Sequence, residues 1–181
     1  MKKKLYLNNF IPVNKPDITK KHAFFVKNSI ESGWISSEGP HVRDFEEKFA
    51  EIVDRKHAIS VTNGSNALET AITALDLQKG DEVILPTFTI ISCVAPLIRI
   101  GAVPVFVDAD PLTWNMDTSQ IEDKITSRTK AIMAVHIYGL PVDMDHLLGL
   151  ADKYGLKVIE DAAEAHGLHY KGKTCGSFGD I

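Results

Sequence analysis

The stretch "KVIEDAAEAHG" (residues 157–167) runs an apolar segment straight into Glu160, Asp161 and Glu164, with His166 close behind. "LKVI" is short, apolar and β-branched, as a buried strand is. Acidic groups at the mouth of a core need a reason, because a buried charge is costly unless something pairs with it. In parallel sheets flanked by helices, the carboxyl ends of the strands are where ligands bind. The meaning of Asp161 and its neighbours therefore depends on what lies on either side of them in the chain.

A regular alternation precedes them. "HAISV" (57–61) reads as a strand and "SNALETAITALDL" as an amphipathic helix. "DEVILP" is a strand, and "IISCVAPLIRIG" is helical with an irregularity at Pro96. "AVPVFVD" is a strand, and "DTSQIEDKI" is a short helix capped by Asp117 or Thr118. "TKAIMAVH" is a strand, "DMDHLLGLADKYG" is a helix ending on Gly155, and "LKVIED" is the last clear strand. Such alternation predicts an α/β fold, a mostly parallel sheet with helices on both faces. The carboxyl ends of its strands are "TNGSN" (62–66), "PTFT" (86–89), "VDADP" (107–111), "HIYG" (136–139) and "EDAAEAHG" (160–167).

Two helices are expected before this rhythm begins. "DITKKHAFFVKNSIESG" has helical apolar spacing and ends on Gly33. "GPHVRDFEEKFAEIV" places Pro40 near a helix start and Phe45, Phe49 and Ile52 on one face. The 181 residues suffice for one substantial domain, and 44% apolar with 24% charged content is ordinary for a globular chain. A net charge of −4 gives no footing for nucleic acid or an anionic membrane. "MKKKLYLNNF" starts basic, but Asn8, Asn9 and Pro12 interrupt it, so it does not read as a signal peptide. No stretch approaches a membrane span. Cys93 and Cys175 match no metal-ligand spacing and read as reduced thiols of a cytoplasmic protein.

Two of the strand ends carry the chemistry. In "SVTNGSNALE" a Gly-containing turn opens a helix, so the amides of Gly64, Ser65 and Asn66 and the Ser65 hydroxyl favour an anion such as phosphate. Asn63 and Ser65 equally suit a turn that simply caps the helix. The segment is neither a Walker loop nor GxGxxG. Asp161 can hold a ring nitrogen in its cationic form, and Glu164 lies on the same side if a helical turn follows. An ordinary capping box accounts for the same two residues. His136 and Asp145 lack a third metal ligand, and Asp143 or Asp145 reads as a helix cap. Phe88 suits core packing or stacking on a planar cofactor, and "SGWISSEGP" offers Trp34, Ser36 and Ser37 as a substrate-side loop.

Taken together and in order, the blocks resemble one family. "GWISSEGPHVRDFEEKFA", "VTNGSNALETAITAL", "GDEVILPTFT", "GAVPVFVDADPLTWNMD", "AVHIYGLPVDMD" and "VIEDAAEAHGLHYKGKTCGSFGDI" are similar to successive blocks of the DegT/DnrJ/EryC1/StrS nucleotide-sugar aminotransferases. These are pyridoxal-phosphate (PLP) enzymes of fold type I, and the wording is most like their perosamine-synthase branch. The resemblance covers Gly33 to Ile181. It implies that Asp161 pairs with the PLP ring nitrogen, that Glu164 stands beside the 3′-oxygen where relatives often carry His or Gln, and that Gly64, Ser65 and Asn66 hold the phosphate. Relatives often have an aromatic residue stacked on the ring two positions after Phe88, where this chain has Ile90. Either Phe88 takes that role or aliphatic packing replaces it.

The resemblance also implies a nucleotide-linked 4-keto-6-deoxy sugar as substrate, glutamate as amino donor and a homodimer. The family's Schiff-base lysine follows shortly after "GSFGDI", beyond Ile181. Lys171 and Lys173 belong to the upstream "YKGK" turn and are not candidates for it. The expectation is an N-terminal helical segment (1–32) and a partial PLP-binding large domain (33–181), inactive and poorly folded alone, with an open sheet edge. Two alternatives stay open: a PLP-dependent sugar dehydratase of the same fold, or a non-catalytic half protein.

Overall fold

A computed structural model describes residues 11–12 and 15–181. The basic start "MKKKLYLNNF" therefore lies outside the described residues, as does most of residues 1–14 of the expected N-terminal segment. The described residues up to Asp44 and residues 45–181 make two compact units.

In the first unit, helix α1 (Lys20–Ser32) ends where the sequence places its stop, on Gly33 at φ 77. Helix α2 (Pro40–Ile52) starts at Pro40, as expected. Phe45 and Ile52 of the predicted apolar face are exposed, whereas Ala50 is buried.

The second unit is built on helix α3 (Gly64–Ala74), strand β1 (Glu82–Pro86), helix α4 (Ala95–Ile100) and strand β2 (Val103–Val107). Strand β3 (Thr129–Val135), helix α5 (Met144–Tyr154) and strand β4 (Lys157–Asp161) follow, then a hairpin of β5 (His169–Tyr170) and β6 (Lys173–Thr174). Strands β2-β1-β3-β4 form one sheet in that order, every pair parallel. Val83, Leu85, Ala131, Met133, Val135 and Ile159 face α3 and α4 in one buried cluster. The alternate residues Ile84, Ile132, Ala134 and Val158 face α5 in the other. Helices thus cover both faces of the central strands β1 and β3, whose apolar runs are buried, whereas the edge strand β2 leaves Val103 and Phe106 partly exposed.

Pro96 splits its segment into a 3₁₀ turn (Ile91–Cys93) and α4, whose first turn tolerates the missing N–H. Two expectations are corrected. "HAISV" (57–61) is not a strand: it pairs with no described strand, and Ile59 is 77% exposed. A β-prone sequence without a ladder partner stays irregular. "DTSQIEDKI" is not an α-helix but two 3₁₀ turns, Thr118–Gln120 and Glu122–Lys124. Asp117 caps the first by accepting from the Ser119 N–H, and such local bonds compete with longer helix.

The outer edge of β4 is not bare. Glu160 N–H donates to Ile181 O at 2.9 Å and Asp180 N–H to Val158 O at 2.8 Å. Gly179 makes this approach sterically possible, since a Cβ there would lie 2.8 Å from Val158 O and 2.9 Å from Ile181 O. Gly179→Ala is expected to lower stability by about 2 kcal/mol through backbone overpacking. Urea denaturation reads this directly, and an unshifted midpoint would contradict it.

Candidate functional site

The sheet order has one switch point. The chain steps from β1 outward to β2, then returns to the other side of β1 to form β3. A crevice opens outside the carboxyl ends of strands at such a point. A cavity of about 350 Å³ sits there, lined by Phe88, Thr89 and Ile90 after β1, by Val135 to Tyr138 after β3, and by Asp161, Ala163 and Glu164 after β4. A second cavity of about 490 Å³ reaches Gly64 and Ser65 at the start of α3. The two cavities share Ile90, Asp161 and Ala163, so Asp161 stands at their junction.

The pleat explains how adjacent carboxylates acquire different surroundings. Successive strand residues point to opposite faces. Asp161 follows the parity of Ile159, on the α3–α4 face, whereas Glu160 follows Val158. Asp161 is half-buried; its Oδ1 accepts from the Ala163 N–H at 3.1 Å and its Oδ2 from the Cys93 thiol at 3.5 Å. Burial pushes that thiol up to about 12; a Thr89 hydrogen bond pulls against the rise and Asp161 adds to it. Cys93 is therefore a protonated donor at neutral pH, not a nucleophile.

Glu160 is enclosed by donors. Its Oε1 accepts from His136 Nε2 at 3.0 Å and the Gly176 N–H at 2.6 Å. Its Oε2 accepts from the N–H groups of Phe178 at 2.7 Å and Gly179 at 3.0 Å. Burial raises the Glu160 pKa, but these four hydrogen bonds outweigh it and hold the carboxyl below its usual range. His136 Nδ1 accepts from the Val142 N–H at 3.1 Å, which leaves Nε2 to carry the proton toward Glu160. His136 is thus fixed by two partners; Asp145, its suggested metal companion, pairs with Lys171 instead. Among the described residues no cluster could hold a metal ion.

At the start of α3, Asn63 Oδ1 accepts from the Asn66 N–H at 2.9 Å. The expectation of three free amides is corrected to two: Asn66 is occupied within the turn, whereas the Gly64 and Ser65 N–H groups have no partner among the described residues. Ser65 Oγ lies 2.7 Å from Ser92 Oγ and is not the cap. No helix follows Asp161, so the capping-box alternative fails. Instead Glu164 Oε2 accepts from the Tyr138 N–H at 2.6 Å. Asp143, one of the two predicted caps, accepts from the His146 N–H at the start of α5.

The structure gathers Gly64, Ser65, Phe88, Asp161 and Glu164 around the joined cavities. Asn66 lines neither, and Trp34 and Ser36 belong to the first unit. Sequence reasoning missed the Cys93 thiol and the Ala163 N–H as partners of Asp161, and Thr89 as the partner of Cys93, and gave Glu160 no separate role. Strict two-residue alternation along "KVIED" was the signal that separates Glu160 from Asp161. Among the described residues no lysine lines either cavity; Lys173 lies over the Phe178 ring, 4.7 Å from its centroid.

Two unpartnered amides at a helix N-terminus, joined to a carboxylate in a crevice at a strand switch point, make this the candidate ligand site of the α/β unit. The profile of the DegT/DnrJ/EryC1/StrS aminotransferase family matches residues 16–181, and the chain belongs to that family. It is 50% identical over 172 residues to the GDP-perosamine synthase of Escherichia coli O157:H7, covering 95% of this chain and 47% of that enzyme. The solved aminotransferase from Psychrobacter cryohalolentis superposes with a TM-score of 0.85 at 43% identity, over 91% of this chain and 42% of that one. The E. coli GDP-4-keto-6-deoxy-D-mannose-3-dehydratase, solved with hydrated PLP, gives 0.87 at 29% identity, over 93% and 44%. The chain spans about half the length of the curated relatives it matches.

Glu160→Gln tests the enclosed carboxylate. Whichever way the amide turns, its NH₂ meets two N–H donors. A loss of about 3 kcal/mol is expected at neutral pH. Because the folded pKa of Glu160 is lowered, its contribution is present above the unfolded carboxylate pKa and fades as pH falls through the folded value. The stability gap between wild type and variant should narrow in acid. Urea titrations across a pH series would show this, and a gap independent of pH would count against it.

Proposed function

We propose that this chain carries the cofactor-binding part of a PLP-dependent aminotransferase acting on a nucleotide-linked 4-keto-6-deoxy sugar, of the GDP-perosamine synthase kind. The observation that carries this reading is the junction at Asp161. One half-buried carboxylate is shared by a cavity reaching the open amides of Gly64 and Ser65 and a cavity reaching Phe88 and Glu164.

These residues fit the cofactor. The Gly64 and Ser65 N–H groups, with the Ser65 hydroxyl, would bind its phosphate at the positive end of α3. Asn66 would hold the turn in shape through Asn63 and Thr62. Asp161 would keep a proton on the ring nitrogen, with the Cys93 thiol and Ala163 N–H fixing its carboxylate. Phe88, anchored against the α3–α4 core, would cover the ring, and Glu164 would stand near its phenolic oxygen. When bound, PLP supplies an electron-withdrawing cationic ring that stabilises a carbanion.

In this reading residues 33–181 are part of the large domain and residues 1–32 its N-terminal helical segment. Trp34 and Ser36 stay as substrate-side residues, glutamate as amino donor, and a homodimer as the assembly. The Schiff-base lysine is not assigned among the described residues. No described helix is long and apolar enough to cross a membrane. The dehydratase alternative is less favoured, since identity to that enzyme is 29% against 50% for the E. coli synthase.

Asp161→Ala in the natural polypeptide should lower turnover by about 100-fold or more and weaken PLP binding with it. Near-normal turnover and affinity would remove Asp161 from this role. Product analysis by NMR separates the readings: an aminated sugar supports the transaminase, a deoxygenated one the dehydratase.

A further inference from the structure

Two large aromatic side chains stand in solvent outside the Asp161 cavity, on backbone that such residues avoid. Trp114 has φ 64 and Tyr138 has φ 49. Bulky side chains enter this left-handed region only against steric cost. Trp114 is 58% exposed and Tyr138 77% exposed, so burial of the rings does not hold them there. Both lean on Phe88. Its ring centroid lies 5.4 Å from that of Trp114, at 63°, and 6.2 Å from that of Tyr138, at 66°. The three rings make one continuous rim, of which Phe88 and Tyr138 line the cavity itself.

Buried hydrogen bonds hold this arrangement from below. Asn115, 3% exposed and adjacent to Trp114, accepts from the Ile137 N–H at 2.9 Å and donates to Leu140 O at 2.8 Å. The Trp114 N–H donates to Asp110 O at 2.8 Å, and the Asp110 N–H donates to Asn115 O at 2.8 Å. Tyr138 is fixed from the other side by Glu164. One buried amide therefore links the segments that carry the two exposed rings. Strained backbone held in place by its surroundings is concentrated at functional sites. Rigid aromatic rings offer large contact area with little entropy to lose.

The geometry points to a carbohydrate subsite: Trp114 and Tyr138, braced on Phe88, receive the C–H face of a pyranose ring at the mouth of the cavity. The Tyr138 hydroxyl and the second oxygen of Glu164 are available to sugar hydroxyls. This inference rests on the nucleotide-sugar reading above. A nucleobase also has a flat face, but the hexose carries the reacting carbon and must lie against the cavity. The carboxylates of Asp161 and Glu164 disfavour a diphosphate at the same place.

The test uses the natural polypeptide with PLP bound, titrated calorimetrically with GDP-mannose and with GDP. Trp114→Ala and Tyr138→Ala should weaken GDP-mannose about tenfold and leave GDP within about twofold. Trp114→Phe and Tyr138→Phe should retain most of the affinity. Unchanged GDP-mannose binding in the alanine variants overturns the subsite, and equal weakening of both ligands assigns the rim to the base instead. A wild type that holds PLP but not GDP-mannose overturns the nucleotide-sugar reading and the subsite with it. If the alanine variants do not fold, saturation-transfer NMR on the wild type decides. Irradiating the aromatic rings should saturate the hexose protons of GDP-mannose more than its base proton; the reverse pattern refutes the subsite.

Discussion

The carboxylate of Glu160 is the constraint on which the rest of the site depends. It lies one residue before the end of β4, and its side chain is almost wholly shielded from the solvent that would stabilise its charge. Four N–H groups do so instead, one from His136 and three from the 176–179 loop. Arg55 reinforces the same loop from outside, donating to the carbonyls of Gly176 and Gly179. A charge enclosed in this way fixes its partners in place, because losing any one of them leaves part of it uncompensated. His136 is thereby set as a wall of one cavity and Gly176 as a wall of the other.

The next residue does the opposite. Strand pairing sets Glu160 opposite Ala134 and Asp161 opposite Val135, so the pleat turns the two acids to opposite faces of the sheet. Asp161 has only a thiol and one backbone N–H, and keeps acceptor capacity toward the cavities. One acid braces the frame, and the other is left able to meet a ligand. The switch between β1 and β3 opens the space that the ligand would occupy.

Most of this fold was legible because the central strands are buried on both faces. "DEVILP", "TKAIMAVH" and "LKVIED" hold unbroken apolar stretches (83–86, 131–135 and 158–159) between polar ends, and glycines 33, 101 and 155 end their helices in the left-handed conformation. The failures share a physical cause. "HAISV" has strand propensity, but a strand also needs a neighbour, and none of the described strands lies beside it. "DTSQIEDKI" has helical composition, but Asp117 and Ser119 spend their side chains on the local turn. The Asn66 amide was expected to be open, yet Asn63 reaches it first. The aromatic rim was not legible at all, since Phe88, Trp114 and Tyr138 meet only through the sheet order, and the backbone beneath two of them is set by the distant Asn115.

The central claim is that Asp161 meets a ring nitrogen and keeps it protonated. The most direct measurement is ¹⁵N NMR of the natural polypeptide loaded with PLP labelled at that nitrogen. The account predicts a pyridinium shift that persists to a pH well above that at which the free cofactor loses its proton. A neutral-pyridine shift at neutral pH, with the cofactor demonstrably bound, would contradict it.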